Sequence, residues 1–227
     1  RISMRLSIYT DSRGHHTPKG APPPDMFATR LAALSDVAAE VYLCPMKWTT
    51  TIDFIDLFKN RRAEEFDYII LYTGIVDWSP RPWQSAISDL YANANPANLQ
   101  NAGLNTREYA RKVVNFKKPV FDEVFTEAAM RDHLEGNLGV SYEGQPTNNM
   151  YSLDMAERAL LPRLSAIPNL IFVNSNRFIP GWEGDYARGR PRNIRITEQY
   201  SELFRDALSP DRVIDLLEWR ESEIKER

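Results

Sequence analysis

The chain has 227 residues, 43% hydrophobic and 26% charged, with a formal net charge of −3. That length accommodates one α/β domain with a buried core, and the charge balance gives no global attraction to nucleic acid or anionic membrane. The single cysteine, Cys44, excludes an internal disulfide and a cysteine metal cluster. It points to a reducing, cytoplasmic setting. No apolar run approaches the ~18–20 residues of a membrane span, and the N-terminus lacks the longer apolar stretch of a signal peptide.

In chain order, Ile2 to Tyr9 reads as a buried strand. Pro18, Pro22, Pro23 and Pro24 make the stretch from Thr17 to Asp25 a loop. Phe27, Leu31 and Leu34 then recur at helical spacing, and Glu40 to Leu43 reads as a second short strand. Thr51 is placed to cap a helix whose apolar face is Ile52, Ile55 and Phe58. The run "YIILY", Tyr68 to Tyr72, is the third strand. Strands alternating with helices in this order predict a parallel sheet with helices on both faces.

From about residue 84 to 150 no strong strand is predicted. Asparagines crowd the first part, and Val120, Phe121, Val124, Phe125 and Ala128 then share one helical face. A structureless loop of this length is improbable in a compact domain, so the segment reads as a mostly helical insertion. The α/β rhythm returns with Leu153, Ala156, Leu160 and Leu164 on one face, with Pro162 expected to kink or shorten that helix. "LIFV", Leu170 to Val173, is the fourth strand, and a long loop follows. Tyr200, Leu203, Phe204 and Leu208 mark a late helix, and "RVIDLLEW" is either a short strand or a last helical turn.

In open parallel sheets the working residues sit in loops at the carboxyl ends of strands. Two such ends stand out: Asp11-Ser12-Arg13-Gly14 after the first strand, and "TGIVDWSPRPW", Thr73 to Trp83, after the third. If those strands are neighbours, Ser12 and Asp77 share one crevice. With "DSR" at Asp11 to Arg13 and "GIVD" at Gly74 to Asp77, the chain resembles the SGNH (GDSL-like) hydrolase family. "GIVDWSPRP" is similar to a variant of the second motif seen in carbohydrate-linked SGNH-like proteins. The resemblance implies a single flavodoxin-like, SGNH-type three-layer α/β sandwich over residues 1–227, with a mainly parallel sheet and the helical insertion at about 84–150.

The same resemblance implies that the nucleophile falls on Ser12. The family's oxyanion asparagine falls on Val76, which has no side-chain donor. Its Asp-x-x-His falls near Arg192 to Arg195, where there is no histidine; the chain has only His15, His16 and His133. A serine hydroxyl needs a base within hydrogen-bond reach, and losing an oxyanion donor costs about 100–1000-fold in rate. His15 or His16 is the nearest base in sequence, with an unshifted pKa of about 6.5; an exposed pair is the structural alternative. Ser12 is either nucleophile or turn residue, and Asp11 either orients a neighbour or caps the turn. Asp77 either meets ligand or bonds loop amides, Arg13 or Arg81. His133 reads as a surface helix residue unless the insertion folds over the site.

Arginines are the more distinctive feature. Arg13 and Arg81 follow the two strand-end motifs, and Arg188, Arg190, Arg192 and Arg195 crowd one late loop. Guanidinium forks grip carboxylate or phosphate, so the substrate is expected to be an anionic small molecule or glycan; a solvated loop balanced by Glu183, Asp185 and Glu198 is the alternative. Backbone amides near Ser12 and Gly74 would hold the oxyanion. Arg13, Arg81, Arg192 and Arg195 would bind charge. Trp78, in a predicted loop, would stack on a sugar ring or plug the core.

The reading that follows is ester hydrolysis or acyl transfer on an acylated or anionic carbohydrate-type substrate. The alternatives are a catalytically silent domain that binds a glycan or partner protein, and non-hydrolytic chemistry using the arginines. No cofactor, metal or nucleic acid is expected, and homo-oligomerisation through the insertion stays open.

Overall fold

The computed structural model describes residues 3–11, 13–14, 26–43, 50–83, 119–182 and 189–225. Strand β1 (Met4–Thr10) leads to the short helix α1 (Phe27–Ala32), β2 (Val37–Leu43), α2 (Thr51–Phe58) and β3 (Tyr68–Tyr72). Helix α3 (Gly74–Trp78) follows directly and runs into β4 (Arg81–Pro82). Residues 119–125 are helical, and α4 (Glu127–Glu135), β5 (Ser141–Tyr142) and β6 (Gln145–Asn148) come next. Three abutting helical segments, Leu153–Met155, Ala156–Leu160 and Leu161–Ser165, form α5. The chain ends with β7 (Leu170–Val173), α6 (Ile196–Ala207), β8 (Val213–Ile214) and α7 (Glu221–Lys225).

Five strands form one parallel sheet in the order β2-β1-β3-β7-β8. The chain leaves β1 for β2 on one side, then crosses to β3 on the other. The loops after β1 and β3 therefore diverge at a topological switch point, where open α/β sheets leave a crevice.

Strand alternation separates two cores. Tyr9, Ile69, Leu71 and Phe172 pack on one face beneath α2, residues 119–125, α5 and α6. Leu6, Ile8, Ile70, Tyr72 and Val173 face the other way, covered by α1 together with Leu216 and Trp219. The architecture is thus α/β with helices flanking a parallel sheet, as the alternating pattern predicts, and it is consistent with a flavodoxin-like fold.

Several boundaries differ from the sequence reading. The N-cap of α2 is Thr50, not Thr51: its side chain accepts from Asp53 N, and the Asp53 carboxylate answers Thr50 N in a capping box. The helix expected through Val120 to Ala128 breaks at Thr126, which has φ 71° and caps α4 by accepting from Ala129 N. Ala128 consequently turns outward, while Val120, Phe121, Val124 and Phe125 stay buried.

Part of the segment expected to be helical pairs as strands: β4, β6 and β5 form a small antiparallel sheet. Its hairpin turns at Glu143 and Gly144, both with positive φ (51° and 76°), the pattern of a two-residue primed turn. Pro162 neither breaks α5 nor ends it. The segment ahead of it is wound as a wider π-turn, which absorbs the missing amide of the proline. "RVIDLLEW" supplies both elements that were weighed, β8 and then a 3-10 turn over Leu216–Glu218.

The aromatic cluster over the sheet makes a direct test. Phe172 is fully buried between Trp78 (6.1 Å between ring centroids) and Phe204 (4.9 Å). Phe172→Ala is expected to cost about 3–5 kcal/mol in urea unfolding. Tyr68→Ala, at a strand position 45% exposed, is expected to stay within about 0.5 kcal/mol.

Candidate functional site

The turn after β1 is fixed at both ends. Asp11 N donates to Tyr72 O (2.9 Å), Gly14 N to Asp11 O (3.1 Å), and Ala28 N to Gly14 O (3.2 Å), which ties the turn to β3 and to α1. Gly14 has no room for a side chain: a Cβ there would lie 2.0 Å from Thr10 Oγ1 and 2.4 Å from the Phe27 ring. Ser12, His15 and His16 lie outside the described residues.

Asp11 is buried, and its carboxylate is consumed by Arg13. It accepts from Arg13 N at 2.9 Å, from Nε at 3.0 and 3.1 Å, and from Nη2 at 2.7 Å. The guanidinium lies 4.0 Å over the Tyr72 ring and reaches across to the loop after β7, where Nη1 donates to Ser175 Oγ (3.2 Å). Burial works against the charge on Arg13, but the Asp11 carboxylate and Tyr72 hold its pKa above the ordinary value. Removing one partner of such a pair typically costs about 3–5 kcal/mol, so Asp11 and Arg13 set the shape of this turn together.

The "GIVD" block lies at the same sheet edge, folded as α3. Gly74 is required by the tryptophan four residues on: a Cβ there would meet the Trp78 ring at 2.4 Å. Trp78 was expected in a loop as a surface for a sugar. It is instead fully buried in α3, stacked 5.6 Å from Tyr200 and 4.9 Å from Phe204, with Nε1 donating to Tyr151 Oη (3.0 Å). An apolar pocket between sheet and α6 outcompetes a loop position for so large a ring. Val76 packs its side chain into the same core, and its carbonyl accepts from Arg81 Nη2 (3.4 Å).

Asp77 is buried and points across to α2. Its carboxylate accepts from Thr51 N, the first amide of that helix, at 3.2 and 3.3 Å, and from Tyr151 Oη at 2.5 Å. Burial pushes its pKa up to about 7, against the opposing pull of the Thr51 and Tyr151 donors. The network continues through Tyr200 Oη, which donates to Tyr151 O (2.6 Å) and accepts from Asn149 Nδ2 (3.0 Å). The Asn149 carbonyl meets His133 Nε2 (2.9 Å). The Asn149–Tyr200 bond thus ties the insertion to the domain, and His133 holds Asn149 from within the insertion; burial lowers the His133 pKa.

The opening at this edge is a cleft of about 170 Å³ lined by Arg13, Ser175, Arg177, Phe178, Trp182 and Arg190, with Ile75 among its apolar walls. Arg177 Nη1 stands 3.6 Å from Glu198 and 3.7 Å from Glu202. The Arg190 guanidinium lies 4.7 Å over the Phe178 ring. Glu198 is buried and organises the loop, accepting from Phe178 N (3.0 Å) and from Arg195 Nε and Nη2 (3.2 and 3.1 Å).

Among the arginines singled out in sequence, Arg13 and Arg190 line this cleft. Arg81 is occupied beside Val76, Arg195 is tied to Glu198 at the start of α6, and Arg192 is exposed. Arg188 lies outside the described residues. Arg177 was missed, although it is the first arginine after the fourth strand, where the strand-end rule directs attention. Nothing in the sequence pattern marked Thr51, Tyr151 or Ser175 as partners of the two motifs.

Among the described residues, no three His, Cys, Asp or Glu side chains are grouped to hold a metal ion, and no helix is long and apolar enough to cross a membrane. Comparison of the chain with protein-family models, with curated proteins and with solved structures gave no match in any of the three.

Two substitutions test the packing and charge of the edge. Gly74→Ala must displace the Trp78 ring and is expected to destabilise by about 1–3 kcal/mol, with a change in tryptophan fluorescence. Asp77 binds a proton in the folded chain that the unfolded chain releases between about pH 3.8 and 7. The stability of the protonated form is complete below that window and is lost as pH rises through it. Asp77→Asn cannot titrate, so the urea midpoint of the wild type is expected to fall relative to the variant between about pH 4 and 7.

Proposed function

We propose that the chain is an SGNH-like enzyme that hydrolyses or transfers an acyl ester on an anionic carbohydrate-type substrate, with Ser12 as nucleophile. The observation that carries this reading is the pinned Asp11–Arg13 turn at the switch-point end of β1, beside a cleft lined by three arginines. Ser12 falls between the two pinned residues in sequence. Its hydroxyl would attack the ester carbonyl and pass its proton to His15 or His16, and the tetrahedral oxyanion would rest on backbone amides near Ser12 and Gly74. Collapse would break the acyl C–O bond, the histidine returning its proton to the departing sugar oxygen, and water or an acceptor hydroxyl would then take the acyl group from Ser12. Asp11 already accepts from the Arg13 amide, Nε and Nη2, so it acts as a positioning residue rather than a base. Asp77 likewise works through α2 and Tyr151. The cytoplasmic setting that goes with a single cysteine belongs to the same proposal.

A second reading, a silent domain that binds a glycan or partner protein, draws on Val76. At the position of the family's oxyanion asparagine, the side chain packs into the core.

Fluorophosphonate labelling separates the two. The expected result is covalent capture at Ser12, abolished in Ser12→Ala, with a labelling rate that rises as a histidine loses its proton near pH ~6.5. A folded protein that stays unlabelled across that range overturns the enzyme reading.

A further inference from the structure

The cleft arginines differ in how much of their hydrogen-bonding capacity the protein uses. A guanidinium has five N–H donors. In Arg13, the Nε edge is spent on Asp11 and one Nη1 hydrogen on Ser175. One hydrogen on each Nη is left without an acceptor among the described residues, and the side chain is 27% exposed. Two charged donors on one side chain can serve an oxyanion. Arg177 goes further: its contacts to Glu198 and Glu202, at 3.6 and 3.7 Å, are ion pairs without a hydrogen bond, and it is 43% exposed. Its charge is anchored while its donors remain for a ligand.

Among the described residues, no carboxylate lines the cleft. Asp11 is wrapped by Arg13, Glu198 is shared with Arg195 and the Phe178 amide, and Glu202 meets Arg177 only as an ion pair. Arg190 adds a third cation, oriented by Phe178. The three come from separate segments: the turn after β1, the loop after β7, and the approach to α6. They can reach different oxygens of a tetrahedral group, whereas a planar carboxylate offers only two oxygens in one plane. The volume of about 170 Å³ is well below the ~300–1,000 Å³ of sites for drug-sized ligands, which limits the occupant to a small head group. Ile75, Ile179 and Trp182 give it an apolar wall.

We propose that this cleft binds the phosphate group of a sugar-sized phosphomonoester, gripped by the remaining Nη donors of Arg13 and by Arg177 and Arg190. This deepens the proposed function by naming the anion, and it rests on the same crevice but not on Ser12 chemistry.

The test is thermal unfolding and calorimetric titration of the full chain with inorganic phosphate, glucose 6-phosphate, glucuronate and glucose. With phosphate about a hundredfold above Kd, wild-type Tm is expected to rise by roughly 5–10 °C, with 1:1 binding heat for phosphate and glucose 6-phosphate and no response to glucose. Phosphate also stabilises proteins by exclusion from their surface, so the difference between wild type and Arg177→Gln, and between wild type and Arg190→Gln, is the readout. Each variant is expected to weaken binding at least tenfold. Equal Tm shifts in wild type and both folded variants, or no binding heat, overturn the proposal; so does a response to glucuronate without one to phosphate. Ser12→Ala run alongside keeps the two readings apart. Phosphate binding in a chain that fluorophosphonate never labels leaves the subsite and removes the ester chemistry, and labelling without phosphate binding does the reverse.

Discussion

The ion pair between Asp11 and Arg13 is the contact on which the carboxyl edge of the sheet depends. Two residues apart in sequence, they close a turn whose amides are already tied to β3 and α1. A carboxylate buried at a strand end is costly unless its lone pairs are met. Arg13 meets them from its own backbone and from one edge of its guanidinium. That arrangement aims the rest of the guanidinium at the β7 loop and stacks it on Tyr72, so a local charge interaction fixes a long-range one.

The second motif does different work at the same edge. Gly74 exists to let Trp78 fold back, and Asp77 holds the first amide of α2 and the hydroxyl of Tyr151. Through Tyr200 and Asn149 this reaches His133, so the insertion is joined to the domain by buried polar contacts as well as by the phenylalanines of residues 119–125. Half-satisfied networks of this kind are expensive; here the contacts run unbroken from Thr51 to His133, and the buried Oδ1 of Asn149 is left without a partner.

Much of the frame was legible in the sequence because it rests on short-range patterns. The run Tyr68 to Tyr72 is buried at every position but its exposed first residue, and it forms a strand with the expected bounds. The element order fitted a doubly wound sheet, whose usual strand order sets the ends of β1 and β3 side by side, as they are here. Other features depend on contacts that no local pattern carries. Strand β6, with Gln145, Pro146 and Asn148, has little intrinsic strand preference and pairs because Arg81 and Tyr142 lie beside it. Helix 119–125 stops at Thr126 through a backbone angle that threonine rarely adopts. In the cleft, counting arginines in one loop favoured Arg192 and Arg195. Glu198 draws Arg195 aside, and a segment nearer β7 supplies Arg177 instead.

The two sides of the sheet are insulated unequally. Among the described residues, one lies under several helices, the other under the six residues of α1 and a C-terminal turn. The amide of Ala28, in α1, is what holds Gly14. The turn that Asp11 and Arg13 close therefore borrows rigidity from the thinner of the two described layers, and warming should fray this corner while the aromatic side remains intact.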